Sequence, residues 1–322
     1  MNRAPGPVVF LGTSAFGVPA LRALCRAGES VSLVVTQPDR PAGRGRRTAP
    51  PAVKAAALDM GLPVFQPERV NAPEAVARIA EAAPEFLVVV AYGQLLGREL
   101  LRVPRAGAVN LHPSLLPRHR GPAPVAWTIL SGDGRAGVTT MLMDERMDAG
   151  PILLQRSFPL APDVVCGELE DRLSRAGADL LVTTLQALRD GRVRPAPQDE
   201  RLATYSRMID RGLRRIDWTE DAGEVRCRVH ALSPRPGALT RVRGRILRVL
   251  RVAERSVAGE PGTVVRLDRD GPVVACGRDG VALLEVQPEG KRPMTGAEWA
   301  RGRGVAPGEV LGGSGGDGCE HR

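Results

Sequence analysis

Both the predicted fold and the predicted chemistry of this chain start from one stretch, Val109-Asn110-Leu111-His112-Pro113-Ser114-Leu115-Leu116-Pro117-Arg118-His119-Arg120-Gly121. The apolar residues from Ala108 onward predict a short strand, and Pro113 ends it because proline cannot donate to a strand ladder. Asn110 and His112 stand two residues apart, so their side chains leave an extended chain on the same face. Ligands of open parallel sheets bind outside the carboxyl ends of the strands. The end of this strand is therefore a candidate active site, although a lone histidine there is as readily a hydrogen-bonded core residue.

The segments around this stretch predict a parallel α/β sheet. Nearly continuous apolar runs at residues 8–12, 31–36 and 86–91 are typical of strands buried on both faces. Further strands are predicted at residues 64–66 and 137–144, and helices at 18–25, 53–60, 73–82, 124–130 and 164–188. The turn after the first strand carries neither G-x-G-x-x-G nor the lysine of a P-loop. The sequence thus predicts a Rossmann-like domain that does not bind a nicotinamide dinucleotide.

The composition indicates two globular domains and a basic surface. The chain has 322 residues, which is long for one domain, and 45 Lys and Arg residues against 36 Asp and Glu residues give a net charge of +9. Nearly all of the positive charge is arginine, whose planar fork suits phosphate, although such a surplus also fits a merely solvated surface.

The cysteines and the hydropathy exclude several classes of protein. Five scattered cysteines without a C-x-x-C pair argue against zinc and against disulfides, so no metal is predicted. The sequence has no apolar run of about 18 residues and no secretion signal, which predicts a cytoplasmic location.

The central stretch resembles the signature of the folate-dependent formyltransferases, Asn-x-His-x-Ser-Leu-Leu-Pro-x-x-Arg-Gly. A second piece, Met143-Asp144-Glu145-Arg146-Met147-Asp148-Ala149-Gly150, is similar to the segment that carries the aspartate of that family. The resemblance implies that Asn110, His112 and Asp148 are catalytic and that 10-formyltetrahydrofolate is the formyl donor. Read without the resemblance, Asp148 is an ordinary turn residue, because Asp-x-Gly is a turn signal.

These three residue types fit the chemistry of formyl transfer. When an amine attacks a formyl group, a tetrahedral intermediate forms and its oxygen gathers negative charge, which fixed hydrogen-bond donors stabilise. Asn110 and His112 are candidates for those donors. A carboxylate such as Asp148 can orient the imidazole and accept the proton of the attacking amine, directly or through water.

The resemblance also implies a folate pocket. In the family, residues matching Ser114, Leu115, Leu116 and Pro117 line it, together with the loop at Tyr92 through backbone contacts. A turn that only packs on the next helix is the alternative for the first four, and Tyr92 more often packs than reacts. Arg118 and Arg120 have three open roles, namely the glutamate tail of the folate, RNA, or structure. His119 is interpreted as an exposed residue without a role.

Residues 37–54 form a connection that is long for a strand-to-helix loop and carry five positive residues against one negative. Its Gln-Pro-Asp-Arg-Pro-x-Gly-Arg-Gly resembles the loop of methionyl-tRNA formyltransferases that enters the acceptor end of the tRNA. The resemblance implies tRNA contacts by Arg40, Arg44, Arg46, Arg47 and Lys54. A mobile solvated loop is the alternative.

The last third of the chain changes character. After a possible helix at residues 220–232, short strands are predicted at 238–242, 246–252, 263–267, 273–276 and 281–286, which suggests a small OB-fold-like β-barrel. Residues 207–311 carry 20 Arg and Lys against 14 Asp and Glu, a balance of +6. Few aromatic residues are present there, so contacts of arginines with the phosphates of folded RNA are favoured over base stacking. The candidates are Arg241, Arg243, Arg245, Arg248 and Arg251, of which Arg245 and Arg248 are selected as tRNA-binding residues.

We therefore predict a catalytic domain over residues 1–192, a linker over 193–206, a tRNA-binding domain over 207–311 and a disordered tail over 312–322. The resemblance implies an enzyme that formylates the α-amino group of methionine on initiator tRNA, and we expect it to be a monomer. Two alternatives stay open, a formyltransferase for a nucleotide sugar or purine precursor and a non-catalytic RNA-binding relative. The basic loop argues against the first, and the intact Asn110, His112 and Asp148 argue against the second.

Overall fold

A computed structural model describes residues 6–42, 47–302 and 304–312. In the part before residue 124 the strands are β1 (Val8–Gly12), β2 (Val31–Val35), β3 (Arg40–Ala42), β4 (Arg47–Ala49), β5 (Val64–Phe65), β6 (Phe86–Val90) and β7 (Gly107–His112). The helices there are α1 (Val18–Arg26), α2 (Ala52–Asp59), α3 (Pro73–Ala80) and α4 (Arg98–Leu101). None of the helices in the described ranges is long and apolar enough to span a bilayer.

From residue 124 onward the helices are α5 (Pro124–Leu130), α6 (Cys166–Arg189), α7 (Ala222–Ala231) and α8 (Gly296–Arg301). The strands are β8 (Arg135–Leu142), β9 (Ile152–Pro159), β10 (Ala238–Val242), β11 (Arg245–Arg255), β12 (Val264–Asp268), β13 (Gly271–Ala275), β14 (Gly280–Pro288) and β15 (Met294–Thr295). The described residues divide into two compact units. One comprises the residues up to 124 with 136–158 and 170–206, and the other comprises 125–135, 159–169 and the residues from 207 onward.

The first unit is built on a seven-stranded sheet with the order β5-β2-β1-β6-β7-β8-β9. Neighbouring strands pair in parallel along the part β5-β2-β1-β6-β7 of this order, and β8 runs antiparallel to β7. Every residue of β1 and β6 is buried, as their apolar sequences predict for strands covered on both faces. Because the chain leaves β1 toward β2 on one side and reaches β6 on the other, the strand order reverses between β1 and β6. Ligands of such sheets bind at the carboxyl ends beside this point.

The Rossmann-like fold is confirmed, and the differences lie in elements with a weak apolar pattern. The prediction placed β8 at 137–144 and omitted β9. In β9 the middle residues Gln155, Arg156 and Ser157 are polar, so the strand lacks the apolar alternation that identifies strands in a sequence. The basic loop contains a short antiparallel hairpin, β3 with β4, which its Gly, Pro and Arg content concealed.

The second unit is built on an antiparallel sheet with the order β10-β11-β14-β13-β12, and β15 pairs with β14. All five predicted strands are present, and the predicted helix is α7. Side chains from the sheet and from α7 and α8 enclose one hydrophobic core, which includes Trp218, Val225, Val249, Leu283 and Trp299. The elements β15 and α8 were not predicted, because two and six residues are too short to show a period.

The stretch 193–206, predicted as a linker, makes ordered contacts inside the first unit. Ala196 and Ile152 exchange two backbone hydrogen bonds of 2.8 Å, and Arg120 bridges to Tyr205. Residues 313–322, most of the predicted disordered tail, lie outside the described residues. The catalytic and tRNA-binding assignments of the two predicted domains stay predictions.

Candidate active site

Asn110 and His112 lie at the carboxyl end of β7, and both are buried. Asn110 pairs with Val89 of β6 on one side and with Met141 of β8 on the other. Because β7 is extended up to His112, the two side chains leave the same face, as their spacing predicts. The apolar neighbours of β7 thus fix two polar groups at the edge where ligands of this sheet class bind.

Asp148 completes a cluster with these two residues. It lies in the loop between β8 and β9, where a φ of 50° places it in the left-handed region that aspartate tolerates. Its Oδ1 lies 3.5 Å from Nδ2 of Asn110, and its Oδ2 lies 3.7 Å from Nδ1 of His112. The backbone N–H of Gly121 donates to Oδ2 at 2.8 Å. The structure therefore brings together the three residues that the sequence selected as catalytic.

The hydrogen bonds of His112 set its tautomer. Its Nε2 lies 2.9 Å from the carbonyl oxygen of His119, and a carbonyl only accepts, so Nε2 carries the proton. A neutral His112 then turns an unprotonated Nδ1 toward Asp148. In this arrangement His112 donates toward the reaction centre only as the imidazolium, with a second proton on Nδ1.

Gly121 approaches the site more closely than any residue with a side chain allows. Its φ is 96°, and a Cβ on it would lie 2.8 Å from the carbonyl oxygen of Ser206. The absence of a side chain thus brings its N–H to Asp148. This explains why the central stretch ends with a glycine after Arg120.

The predicted folate-lining turn is held by internal hydrogen bonds. The hydroxyl of Ser114 donates to the carbonyl oxygen of Arg118 at 2.6 Å, and Thr139 donates to the carbonyl oxygen of Ser114 at 2.7 Å. Gln155 donates to the carbonyl oxygen of Leu116 at 2.8 Å. Ser114 and Leu116 are buried, whereas Leu115 and Pro117 are half-buried. A ligand at this turn would therefore meet Leu115, Pro117 and the backbone, and the folate contacts stay predictions.

The side chain of Tyr92 belongs to the hydrophobic core of the first unit, beside Leu11 and Leu96. Burial raises the pKa of its phenol to about 12. Its carbonyl oxygen accepts a hydrogen bond of 2.6 Å from the hydroxyl of Thr13, which follows β1. The exposed residues of this loop next to Tyr92 are Ala91 and Gly93, and a folate contact of the loop through its backbone stays a prediction.

The basic loop is described at its base. Arg40 is exposed, whereas Lys54 forms an ion pair of 2.7 Å with Asp39. Hydrogen bonds from Lys54 and then from Gln66 lower the pKa of Asp39. Lys54 thus anchors the loop with a charge that is already compensated. Arg44 and Arg46 lie outside the described residues, and of Arg47 only the backbone in β4 is described.

In the second unit Arg245 and Arg248 are exposed on β11. Arg248 bonds to Gln287 at 3.2 Å, and neither arginine has a carboxylate partner among the described residues. Arg251 differs, because it pairs with Glu168 and donates to the carbonyl oxygen of Asp163 at 2.9 Å. Of the five arginines predicted to contact RNA phosphates, Arg243 pairs with Glu309 and Arg251 with Glu168. RNA contacts of Arg245 and Arg248 stay a prediction.

Sequence reasoning missed the residues behind the cluster. His119, predicted to be exposed, is buried, because its N–H donates to Oγ1 of Thr204 at 2.8 Å and the chain there folds inward. Arg120 has an exposed fraction of 1%, and its guanidinium contacts Gln198, Glu200 and Tyr205. No spacing in the sequence connects residue 120 with residues about 80 positions later.

Among the described residues, no group of His, Cys, Asp or Glu is suited to a metal ion.

Comparison with known proteins agrees with this geometry. Residues 7–185 match the formyl transferase family, and residues 208–304 match the formyl transferase C-terminal domain. The chain is 47% identical to a methionyl-tRNA formyltransferase of Roseiflexus sp. (strain RS-1), with 96% of each chain covered. It is 42% identical to the methionyl-tRNA formyltransferase of Geobacter sulfurreducens, covering 96% of this chain and 97% of the relative.

Two solved structures share the fold at low identity. HypX from Aquifex aeolicus in complex with tetrahydrofolic acid is 19% identical with a TM-score of 0.61, covering 90% of this chain and 46% of HypX. An N-formyltransferase from Helicobacter canadensis is 14% identical with a TM-score of 0.63, covering 86% of this chain and 98% of the other. The full-length identity to curated relatives, and not these fold matches, decides the family: the chain belongs to the methionyl-tRNA formyltransferases.

Proposed function

We propose that this protein transfers the formyl group of 10-formyltetrahydrofolate to the α-amino group of methionine on initiator tRNA. The observation that carries the proposal is the cluster of Asn110, His112 and Asp148 at the carboxyl end of β7, in a chain that belongs to this family. The folate supplies an activated formyl group when it is bound. Every other contribution comes from side chains and backbone groups of the protein.

The surroundings of the cluster fit a flat, partly apolar co-substrate such as a folate. The loop after β6 leaves the sheet beside the point where the strand order reverses, with Ala91, Gly93 and Leu95 exposed. The turn with Leu115 and Pro117 leaves β7, the next strand of the sheet. Exposed backbone groups and apolar side chains at neighbouring strand ends are what a pterin ring requires, because it combines hydrogen-bonding edges with an apolar face.

Asn110 and His112 are assigned to the formyl oxygen. Their polar groups are fixed by β7 before any ligand binds, so their reorganisation costs little when negative charge develops there. Nδ2 of Asn110 has two protons and gives at most one of them to Asp148, which leaves the other for the formyl oxygen. His112 contributes as the imidazolium, since the carbonyl oxygen of His119 occupies its Nε2 proton.

Asp148 is assigned to the protons. An α-amino group has a pKa of about 8 and is partly neutral near pH 7, so the methionyl amine needs positioning more than activation. Once its nitrogen bonds to the formyl carbon it carries an extra proton, which Asp148 accepts directly or through water. The same proton can return to the folate nitrogen as the bond to the formyl carbon breaks.

The basic residues are assigned to the tRNA. Arg40 and the arginines at positions 44, 46 and 47 would hold the acceptor end near the cluster, with Lys54 anchoring the loop through Asp39. Arg245 and Arg248 would bind phosphates of the folded RNA. We further propose that the protein acts in the cytoplasm and as a monomer. Sedimentation with and without tRNA would test the oligomeric state.

The test is a formylation assay with charged initiator tRNA. The protein, 10-formyltetrahydrofolate and methionyl initiator tRNA are incubated, and the amino acid released from the tRNA is identified by mass spectrometry. Formylmethionine is the expected product, and methionyl elongator tRNA is the matched control acceptor. Formylation of an amino sugar nucleotide in place of the tRNA would contradict the proposal and favour the sugar-directed alternative.

A further inference from the structure

The backbone around Asp148 needs support from outside its own loop. Aspartate tolerates the left-handed φ of 50° at Asp148 better than most residues with a side chain, but this conformation still costs energy that contacts with the surroundings have to offset. Two residues on, Gly150 packs so tightly against β8 that a Cβ would lie 1.9 Å from the carbonyl oxygen of Leu142. The direction of the carboxylate depends on how this short turn is held.

One side chain holds both ends of the turn. The amide nitrogen Nε2 of Gln198 donates to the carbonyl oxygen of Asp148 at 2.8 Å and to that of Gly150 at 2.8 Å. Both acceptors are carbonyls, so the NH₂ group must face them and the orientation of the amide is fixed. Gln198 comes from the stretch 193–206, about 50 residues after Asp148, and is half-buried.

A buried arginine fixes Gln198 in turn. Oε1 of Gln198 accepts a hydrogen bond of 3.0 Å from Nε of Arg120. The guanidinium of Arg120 also bonds to Glu200 at 2.8 Å and to the hydroxyl of Tyr205 at 3.2 Å. The hydrogen bond with Glu200 is the largest cause that raises the pKa of Arg120, so this buried cation stays charged.

Arg120 and Gly121, which are adjacent in the sequence, therefore both help to hold Asp148 in place. The N–H of Gly121 binds the carboxylate, while the side chain of Arg120 reaches the peptide carbonyl of Asp148 through Gln198. We propose that Gln198 is a positioning residue: by holding the carbonyls of Asp148 and Gly150 it aims the carboxylate at Asn110 and His112. This inference rests on the proposed catalytic role of Asp148.

The first test removes the hydrogen bonds of Gln198 at nearly constant volume. Gln198→Met keeps the length of the side chain and loses its hydrogen bonds with Arg120, Asp148 and Gly150, whereas Gln198→Glu keeps an acceptor for Arg120 but turns an acceptor toward the two carbonyls. Each should lower kcat by roughly 10- to 100-fold, because displacements of about 1 Å at a reacting group have effects of this size. KM for charged tRNA and for the folate should stay within about threefold.

The matched control is Arg201→Gln. Arg201 follows Gln198 in the same stretch and pairs with Asp199 at the surface, with 88% of its side chain exposed. Its kcat should equal that of the unmodified protein. Circular dichroism and thermal melting establish that each variant is folded, and Gln198→Glu keeps the inference testable if Gln198→Met does not fold.

The decisive measurement is a double-mutant cycle with Asp148→Asn, which retains a residue type that tolerates the left-handed backbone. If Gln198 acts through Asp148, Gln198→Met should change the residual kcat of Asp148→Asn by less than about twofold. An equal loss in both backgrounds would overturn the inference, as would full turnover of a folded Gln198→Met. Full turnover of Asp148→Asn would instead overturn the proposed role of Asp148, and this inference with it.

Discussion

His112 and Asp148 face each other through one pair of atoms, Nδ1 and Oδ2, which lie 3.7 Å apart. Nε2 of His112 already donates to the carbonyl oxygen of His119. Nδ1 is therefore the ring nitrogen through which the imidazole can exchange a proton with the carboxylate. This relationship makes Asp148 the most informative residue to change.

Asp148→Asn should lower kcat by about 100-fold or more, because it keeps the shape and removes the proton acceptor. Single-turnover formylation of charged tRNA measures the loss. The control is Asp144→Asn, which lies in the same loop and pairs with Arg146. If Asp148→Asn stays as active as Asp144→Asn, the aspartate only shapes the loop.

Arg44→Ala should raise KM for charged tRNA by about tenfold, since one charge-assisted hydrogen bond to a phosphate is worth a factor of this order. Affinity for tetrahydrofolate should not change. Titration of both ligands separates the two possibilities, with Arg192→Ala, an exposed arginine paired with Asp190, as control. A folate defect with normal use of tRNA would mean that the loop serves the other substrate.

Arg245→Ala combined with Arg248→Ala should weaken tRNA binding and reduce the slope of log K against log salt by about 2, because each phosphate that is no longer neutralised lowers the slope by about 1. Binding is measured between about 50 and 200 mM salt, the range over which binding to phosphates weakens strongly. The control combines Arg192→Ala with Arg201→Ala, since both arginines pair with a neighbouring aspartate. Equal slopes for the two double variants would assign the arginines of β11 to a solvated surface.

Arg189→Met should destabilise the first unit by about 3 to 5 kcal/mol, because it leaves a buried carboxylate without its partner. Arg189 pairs with Glu29 at 2.7 Å and with Glu85 at 2.9 Å, and only 2% of the Glu29 side chain is exposed. These glutamates lie at the amino ends of β2 and β6, whereas the candidate active site lies at the carboxyl ends of the strands. The kcat of the folded variant should therefore not change. Denaturant unfolding measures the loss, and Arg192→Met should unfold like the parent.

His230 should make stability fall in mildly acidic solution. Burial first, and then the charge of Arg226, lower the pKa of its imidazole from 6.5 to about 4. An unfolded chain therefore binds a proton below pH 6.5 that the folded chain refuses until about pH 4, so stability is lost as pH falls through that range. A difference of this width corresponds to a loss on the order of 3 kcal/mol. Unfolding of His230→Gln across the same range should show a smaller loss, and equal slopes would contradict the assignment.

The sequence by itself determined the elements whose residues repeat a local pattern. The apolar runs of β1, β2 and β6 and the alternating strands of the second unit are decided by side chains that must leave water, which a sequence displays directly. It also selected Asn110, His112 and Asp148, since two are neighbours on one strand and the third belongs to a recognisable second motif. The structure brought these three together without altering the selection.

Only the tertiary structure decided which polar side chains already have an ion-pair or hydrogen-bond partner and which are exposed and able to bind a ligand. Lys54 is paired with Asp39, Arg251 is paired with Glu168, and His119 is buried, although each looks like an exposed polar residue in the sequence. Gln198 contacts the turn at Asp148 because the chain around residue 200 folds back onto Arg120, about 80 positions earlier, and forms hydrogen bonds with its side chain. Such contacts depend on where loops fold back in three dimensions. Local patterns record the burial of apolar side chains, whereas the pairing of a polar side chain depends on a partner that the local sequence does not contain.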